Sequence, residues 1–226
     1  MKRRKVLVVA PMQKEASAVV SNLGGLLDGV CVTISGIGKV NAAAACVNHF
    51  LTQGKPNIVL NVGCAGALYD SAQPGDLVVS TSVGYWDVFC GRGYEIGQIQ
   101  GEPPQYRTPR WLTGPAFGAL SEHCTFARTL VGDIVTGDRF CTMREDVSRI
   151  IRDFPKAVAV DMESAAIGHV CHRHCVPFLS VRVISDTVAL DRGTDYERFW
   201  AQEPVTRFAY VRPLVEALLK LAERSR

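Results

Sequence analysis

The stretch from Ala157 to Asp186 constrains the fold most, because it holds two buried-strand patterns, each closing on carboxylates, with one helical pattern between them. The apolar run 157–160 leads into Asp161, Met162 and Glu163. Ser164 is of a type that caps helices, and the helical pattern behind it extends to about His174. Phe178–Ile184 then forms a second buried strand ending at Ser185 and Asp186. In open α/β sheets ligands bind beyond the carboxyl ends of the strands, so Glu163 and Asp186 stand where a substrate is expected.

The remaining chain has to complete such a site. Val6–Pro11 reads as the opening strand, and Met12-Gln13-Lys14-Glu15 begins a helix that turns Ala16, Val19, Val20 and Leu23 inward and stops at Gly24-Gly25. Glu15 thereby falls near the carboxyl edge of that strand, although a glutamate in a first helical turn is also what the helix dipole favours. Val30–Ser35 is a strand, and Gly36-Ile37-Gly38-Lys39 turns it into an alanine-rich helix over 40–51. A glycine loop opening a helix can cradle phosphate, but this one lacks both the Walker and the dinucleotide spacing and reads as a tight turn. Ile58–Val62 is a strand followed by a glycine-rich string, 63–68, that lets backbone approach a ligand.

After a strand over 77–82 the chain becomes irregular and aromatic from Tyr85 to about Trp111, a length that suits a lid or a subunit contact. Thr129–Val135 is a strand leaving a loop at 136–141, and 144–154 is an amphipathic helix. An irregular piece, 187–194, precedes a C-terminal helical region with Phe199, Phe208, Val211, Leu214, Leu218 and Leu221 as its apolar face, which Pro213 should kink or restart.

Composition excludes several classes. With 226 residues, 47% hydrophobic and 21% charged, the chain suits a single α/β domain spanning 1–226 and does not read as disordered. The net charge is +3, and outside Lys2-Arg3-Arg4-Lys5 the basic residues are scattered, which is no nucleic-acid footprint. The opening apolar run is too short for a signal peptide, and none reaches transmembrane length. A cytoplasmic location follows as the expectation, with the eight cysteines as thiols. His169, Cys171, His172, His174 and Cys175 match no zinc-finger spacing, so no metal is expected.

Seven motifs in order, A-P-M-Q-K-E (10–15), S-G-I-G-K-V-N-A-A (35–43), N-V-G-C-A-G-A-L (61–68), G-Y-E-I-G-Q (93–98), T-G-D-R-F (136–140), V-D-M-E-S-A-A (160–166) and V-R-V-I-S-D (181–186), resemble the 5'-methylthioadenosine/S-adenosylhomocysteine nucleosidases. The resemblance implies the nucleoside phosphorylase-like three-layer fold, a central mixed sheet surrounded by helices. It also implies a homodimer with the 85–111 loop contributing to the neighbouring site, a small-molecule nucleoside substrate and no cofactor. By the same resemblance Glu15 would be the general base for water, Asp186 the acid at adenine N7 and Glu163 the carboxylate holding the ribose hydroxyls. Met162 would pack on the sugar, Phe140 would stack on adenine, and the Cys141 backbone would read the adenine edge. Gly66 would permit close approach, and Ser185 and Arg182 would support the acids. Met12 and Ile37 belong to the same expected pocket, and Tyr196 and Phe199 would wall its 5'-alkylthio side.

The chemistry accounts for these residue types. N-glycosidic cleavage builds positive charge on the sugar and negative charge on the departing purine, so an acid must protonate the base while a carboxylate activates water. To deliver a proton near neutral pH, Asp186 would need a pKa above the ~3.9 of a free side chain, while Glu15 must stay ionised. A phosphorylase would need a cationic or glycine-rich cradle for its anion, and 10–15 instead offers a carboxylate. Other readings are a hydrolase for a related 6-amino nucleoside such as aminofutalosine, a purine nucleoside phosphorylase, and a nucleoside-binding protein that has lost catalysis. Two residues depart from the family pattern. Cys64 stands where the family has serine or threonine near the catalytic acid, and Arg92 stands near an aromatic position lining the neighbour's alkylthio pocket, where it would suit a substrate carboxylate.

Overall fold

Both faces of the first strand are covered, which is why it and its neighbours read as continuous apolar runs. The computed structural model describes residues 5–25, 27–69, 71–187, 192–201 and 204–224. In chain order these form β1 (Val6–Ala10), α1 (Gln13–Leu23), β2 (Val30–Ile34), α2 (Lys39–Gln53), β3 (Ile58–Ala67), β4 (Leu77–Tyr85), β5 (Tyr106–Arg107) and α3 (Arg110–His123). There follow β6 (Thr129–Thr136), α4 (Arg144–Asp153), β7 (Ala157–Asp161), α5 (Ser164–His174), β8 (Phe178–Asp186), α6 (Arg192–Ala201), α7 (Pro204–Arg207) and α8 (Val211–Arg224). Val6, Val8 and Ala10 pack in a core with α1, α3 and α8, while Leu7 and Val9 pack in a second core with α2 and α5. The result is a mixed sheet between helical layers, as the resemblance implied.

The sheet runs β2-β1-β3-β7-β6-β4-β5, and β8 pairs with both β3 and β4. Five strands therefore close a circuit, β3–β8–β4–β6–β7 and back to β3, with β1 and β2 extending one side. The circuit closes at Gly66, which is in register with Asp186 of β8 on one side and Val160 of β7 on the other. A register shift between Ala65 and Gly66 marks where β3 changes partners. The carboxyl ends of β1, β3, β7 and β8 converge around this point, and the acids at their ends converge with them.

Several sequence expectations need correction. The string 63–67 is not a loop beyond β3 but its second half, held in the sheet by β8 and then β7. Gly63 is glycine for packing: a Cβ there would collide with the Arg182 guanidinium and lie 3.2 Å from Glu15 Oε1. The irregular stretch 85–111 contains β5 and the start of α3, and α3 has no counterpart among the expected elements because Gly114, Pro115 and Gly118 disguise it. Trp86 is 1% exposed under α4, and Tyr106 is buried against α5, so neither serves a lid. Ser164 is the first residue of α5, whose N-cap is Glu163. Pro213 neither kinks nor restarts a helix, because it sits in the first turn of α8, where its missing N–H is not needed. Of the expected irregular piece 187–194, residues 188–191 lie outside the described residues and 192–194 already belong to α6.

Candidate active site

The β1–α1 junction sets Glu15. Its Oε2 accepts the backbone N–H of Met12, the N-cap of α1, at 2.9 Å, which is the return half of a capping box. Its Oε1 accepts the Cys64 backbone N–H at 3.1 Å. The carboxylate thus closes one helix end and ties it to the middle of β3, while only 1% of the residue is exposed. Burial raises its pKa, and the Arg182 charge and the two backbone donors hold the rise back. The helix-dipole account of Glu15 is correct as far as it goes, but a cap alone does not explain burial against a strand from elsewhere in the chain.

Arg182, on β8 and fully buried, is the hub of the charges. Its Nη2 lies 2.8 Å from Asp161 Oδ2 and 3.2 Å from Glu163 Oε2, and its charge also acts on Glu15. Asp161 ends β7 facing inward, where Oδ1 accepts from Thr136 Oγ1 at 2.6 Å and from the Ser164 N–H at 3.2 Å, and Oδ2 accepts from Ser164 Oγ. Sequence reasoning gave Asp161 no role, although D-M-E places an acid on both sides of Met162. Glu163 Oε1 accepts the Gly38 N–H at 3.0 Å, which brings the glycine turn before α2 to the same site. Burial lifts Glu163 to about 7, opposed by Arg182 and reinforced by Asp161.

Asp186 closes β8 at 2% exposure, and Ser185 Oγ donates to its Oδ1 at 2.7 Å. A solvent-open cleft joins these groups. Glu15, Glu163 and Asp186 line it together with Arg182 and Ser185. Its apolar wall comes from Met12, Ile37, Phe140, Cys141 and Met162, and Gly66 forms part of the floor. Phe140 is 47% exposed and meets Tyr196, another lining residue, edge-on at 5.6 Å. Tyr196 is anchored through its hydroxyl, which donates to Met12 Sδ at 3.6 Å. Pro11, Arg139 and Val160 line the cleft without having been anticipated.

Two placements differ from expectation. Phe199 is 3% exposed and packs against Trp200 inside the β1–α1–α8 core, so it is not a wall of the cleft. Residues three apart on a helix share a face only roughly, and here Tyr196 takes the cleft while Phe199 takes the core. Cys64, expected beside Asp186, meets Glu15 through both its N–H and its thiol. Arg92 is exposed on the 85–111 loop and does not line the cleft of its own chain.

Comparison with known proteins identifies the family. Residues 11–219 match the family model described as the phosphorylase superfamily. A 5'-methylthioadenosine/S-adenosylhomocysteine nucleosidase from Bacillus cereus (strain B4264) is 35% identical over 201 residues, covering 86% of this chain and 84% of its own. The chain belongs to the 5'-methylthioadenosine/S-adenosylhomocysteine nucleosidase family. Among solved structures, the Colwellia psychrerythraea nucleosidase in complex with adenine superposes with a TM-score of 0.86 at 30% identity, over 96% of each chain. The Neisseria meningitidis enzyme in complex with methylthio-immucillin-A gives 0.86 at 29% identity, over 96% of this chain and 99% of that one. As a member of this nucleosidase family, the chain is an N-glycosidic bond hydrolase. Among the described residues, no helix is long and apolar enough to cross a membrane.

Proposed function

We propose that this nucleosidase releases adenine from 5'-methylthioadenosine, S-adenosylhomocysteine or both, with Glu15 activating water, Asp186 protonating N7 and Glu163 holding the ribose hydroxyls. The observation that carries the reading is the convergence of Glu15 with Glu163 and Asp186, from opposite ends of the chain, on one cleft. The cleft also has the right division of character. Its charged end presents carboxylates restrained by one guanidinium, suited to polarising water and gripping hydroxyls. Its other end is apolar and aromatic through Phe140, Met162 and Tyr196, suited to a flat base and an alkylthio group.

The three carboxylates have different settings. Glu15 receives two backbone N–H groups and the Arg182 field, all of which favour its ionised form against burial, as a base for water requires. The Ser185 hydroxyl orients the Asp186 carboxyl, which is in register with Gly66, where a purine edge can approach backbone. Glu163 interactions with hydroxyls are charge-assisted and strengthen as positive charge grows on the sugar. Asp186→Asn is expected to abolish adenine release while ligand binding persists, and full activity in that variant would refute the role.

We also infer that the enzyme acts as a homodimer, with the 85–111 loop reaching the neighbouring site. Phe89 on that loop is 66% exposed and Val40 at the start of α2 is 78% exposed, apolar surface that a second copy would cover. Light scattering of the purified protein tests this, and a strictly monomeric, fully active enzyme would contradict it.

A further inference from the structure

Behind the cleft, three loops are joined by a ring of charges that no step of the reaction uses. Lys39 begins α2, and the N-cap before it, Gly38, has no side chain to offer. The acceptor comes instead from another part of the chain: Asp138 Oδ1 takes the Lys39 N–H at 2.8 Å. Lys39 Nζ reaches both oxygens of Asp87, at 2.8 and 2.7 Å, and lies 3.7 Å from Asp138 Oδ2. Asp87 Oδ2 in turn accepts the Asp138 N–H at 2.9 Å, which closes the ring. Lys39 and Asp87 are only 21% and 18% exposed, so solvent screens this pair less than a surface ion pair.

The ring sits directly behind two functional elements. The residue before Lys39 is Gly38, whose N–H holds Glu163 Oε1, and the residue before that is Ile37 of the cleft wall. Arg139 and Phe140, which follow Asp138, line the same cleft. Gly38 has φ +93, and a Cβ there would stand 3.0 Å from Asp138 Oδ1, so the turn and the carboxylate are in close contact. A backbone donor can orient a carboxylate only if its own loop is fixed. Here Asn41 Nδ2 donates to Ile37 O at 2.7 Å within the turn itself, and the acceptor that Gly38 lacks comes from another loop, with ionic contacts holding the two together.

We propose that Asp138 and Lys39 are positioning residues, which hold the Gly38 N–H against Glu163 and so set the grip on the ribose hydroxyls. This rests on the proposed role of Glu163. The test uses binding of two non-cleavable C-nucleosides with an adenine-like base, one with a full ribose and one lacking the 2' and 3' hydroxyls. The ratio of their dissociation constants reports the hydroxyl grip alone, since base contacts cancel. Wild type should favour the ribose ligand, and Glu163→Gln should collapse that preference. A wild type indifferent to the hydroxyls would overturn the role of Glu163 and this inference with it.

Given that preference, Asp138→Ala should reduce it about tenfold, the scale of one hydrogen bond to a charged group. Asp138→Asn, which keeps the acceptor for the Lys39 N–H, should recover most of it. Lys39→Met tests the ring without touching that acceptor and should reduce the preference several-fold. If Asp138→Ala and Lys39→Met bind as folded proteins with the wild-type ratio, while Glu163→Gln has lost it, the positioning role alone is refuted. Should Asp138→Ala fail to fold, Lys39→Met and Asp138→Asn decide on the same ratio.

Discussion

Arg182 Nη2 donates to Glu163 Oε2 across 3.2 Å, and both side chains are withdrawn from solvent. The same nitrogen serves Asp161, so one guanidinium is the shared counter-charge of two buried acids that end and follow β7. Removing it would leave both without a counter-charge, and breaking a buried ion pair from one side costs about 3–5 kcal/mol. Arg182→Met should lose stability on that scale in denaturant unfolding and should lose turnover. A loss within about 1 kcal/mol, ordinary for a surface substitution, would mean the network does not hold the site.

Protonation of Glu163 gives a pH signature. Burial lifts it from an ordinary 4.5 to about 7. Because the folded value is the higher one, its contribution to stability is fully present below 4.5 and is lost as pH rises through about 7. Unfolding free energy should therefore decline with rising pH across this window, and Glu163→Gln should flatten the slope. Ligand affinity should move oppositely, improving as Glu163 ionises. Identical slopes in wild type and variant would contradict the assignment.

Cys64 offers a separate test of the base. Burial pushes its thiol well above the ordinary 9.0, with the Glu15 charge adding to the rise, so it faces Glu15 as a neutral donor. A donor to a carboxylate favours the ionised form. Cys64→Ala should shift the acid limb of kcat/KM to higher pH, and Cys64→Ser, with its stronger hydroxyl donor, should shift it back. Exposed Cys90 and Cys175 should be alkylated well before Cys64 in the folded protein. Superimposable pH profiles for all three enzymes would remove Glu15 as the group seen in that limb.

Tyr196 and Phe199 separate wall from core. Phe199→Ala should cost about 3–5 kcal/mol of stability, as truncation of a buried aromatic does, without changing substrate preference. Tyr196→Ala should stay near wild-type stability but lose preference for 5'-alkylthio nucleosides over adenosine, measured as a ratio of kcat/KM. A changed preference in Phe199→Ala would return it to the pocket.

How much of this was legible in the sequence follows from what each residue reports locally. Glu15, Glu163 and Asp186 were readable because each ends or follows an apolar run whose length identifies a strand, and strand ends converge in α/β sheets. Asp161 was not, since an inward and an outward acid at a strand end look alike until β8, which does not pair with β7, brings Arg182 to it. Helix α3 was hidden by Gly114, Pro115 and Gly118, whose propensities tertiary packing against α8 overrides. The extension of β3 was hidden by its glycines, which read as loop, although Gly63 serves to admit the Arg182 side chain. The Lys39–Asp87–Asp138 ring joins residues with no periodic relation to one another, so no pattern could announce it.

Adenine release from 5'-methylthioadenosine in phosphate-free buffer, followed for wild type beside Glu15→Gln, tests the central claim most directly. Wild type should release adenine rapidly and without stimulation by added phosphate, and Glu15→Gln should lose turnover. Absence of adenine at high wild-type concentration, or release only when phosphate is supplied, would contradict it.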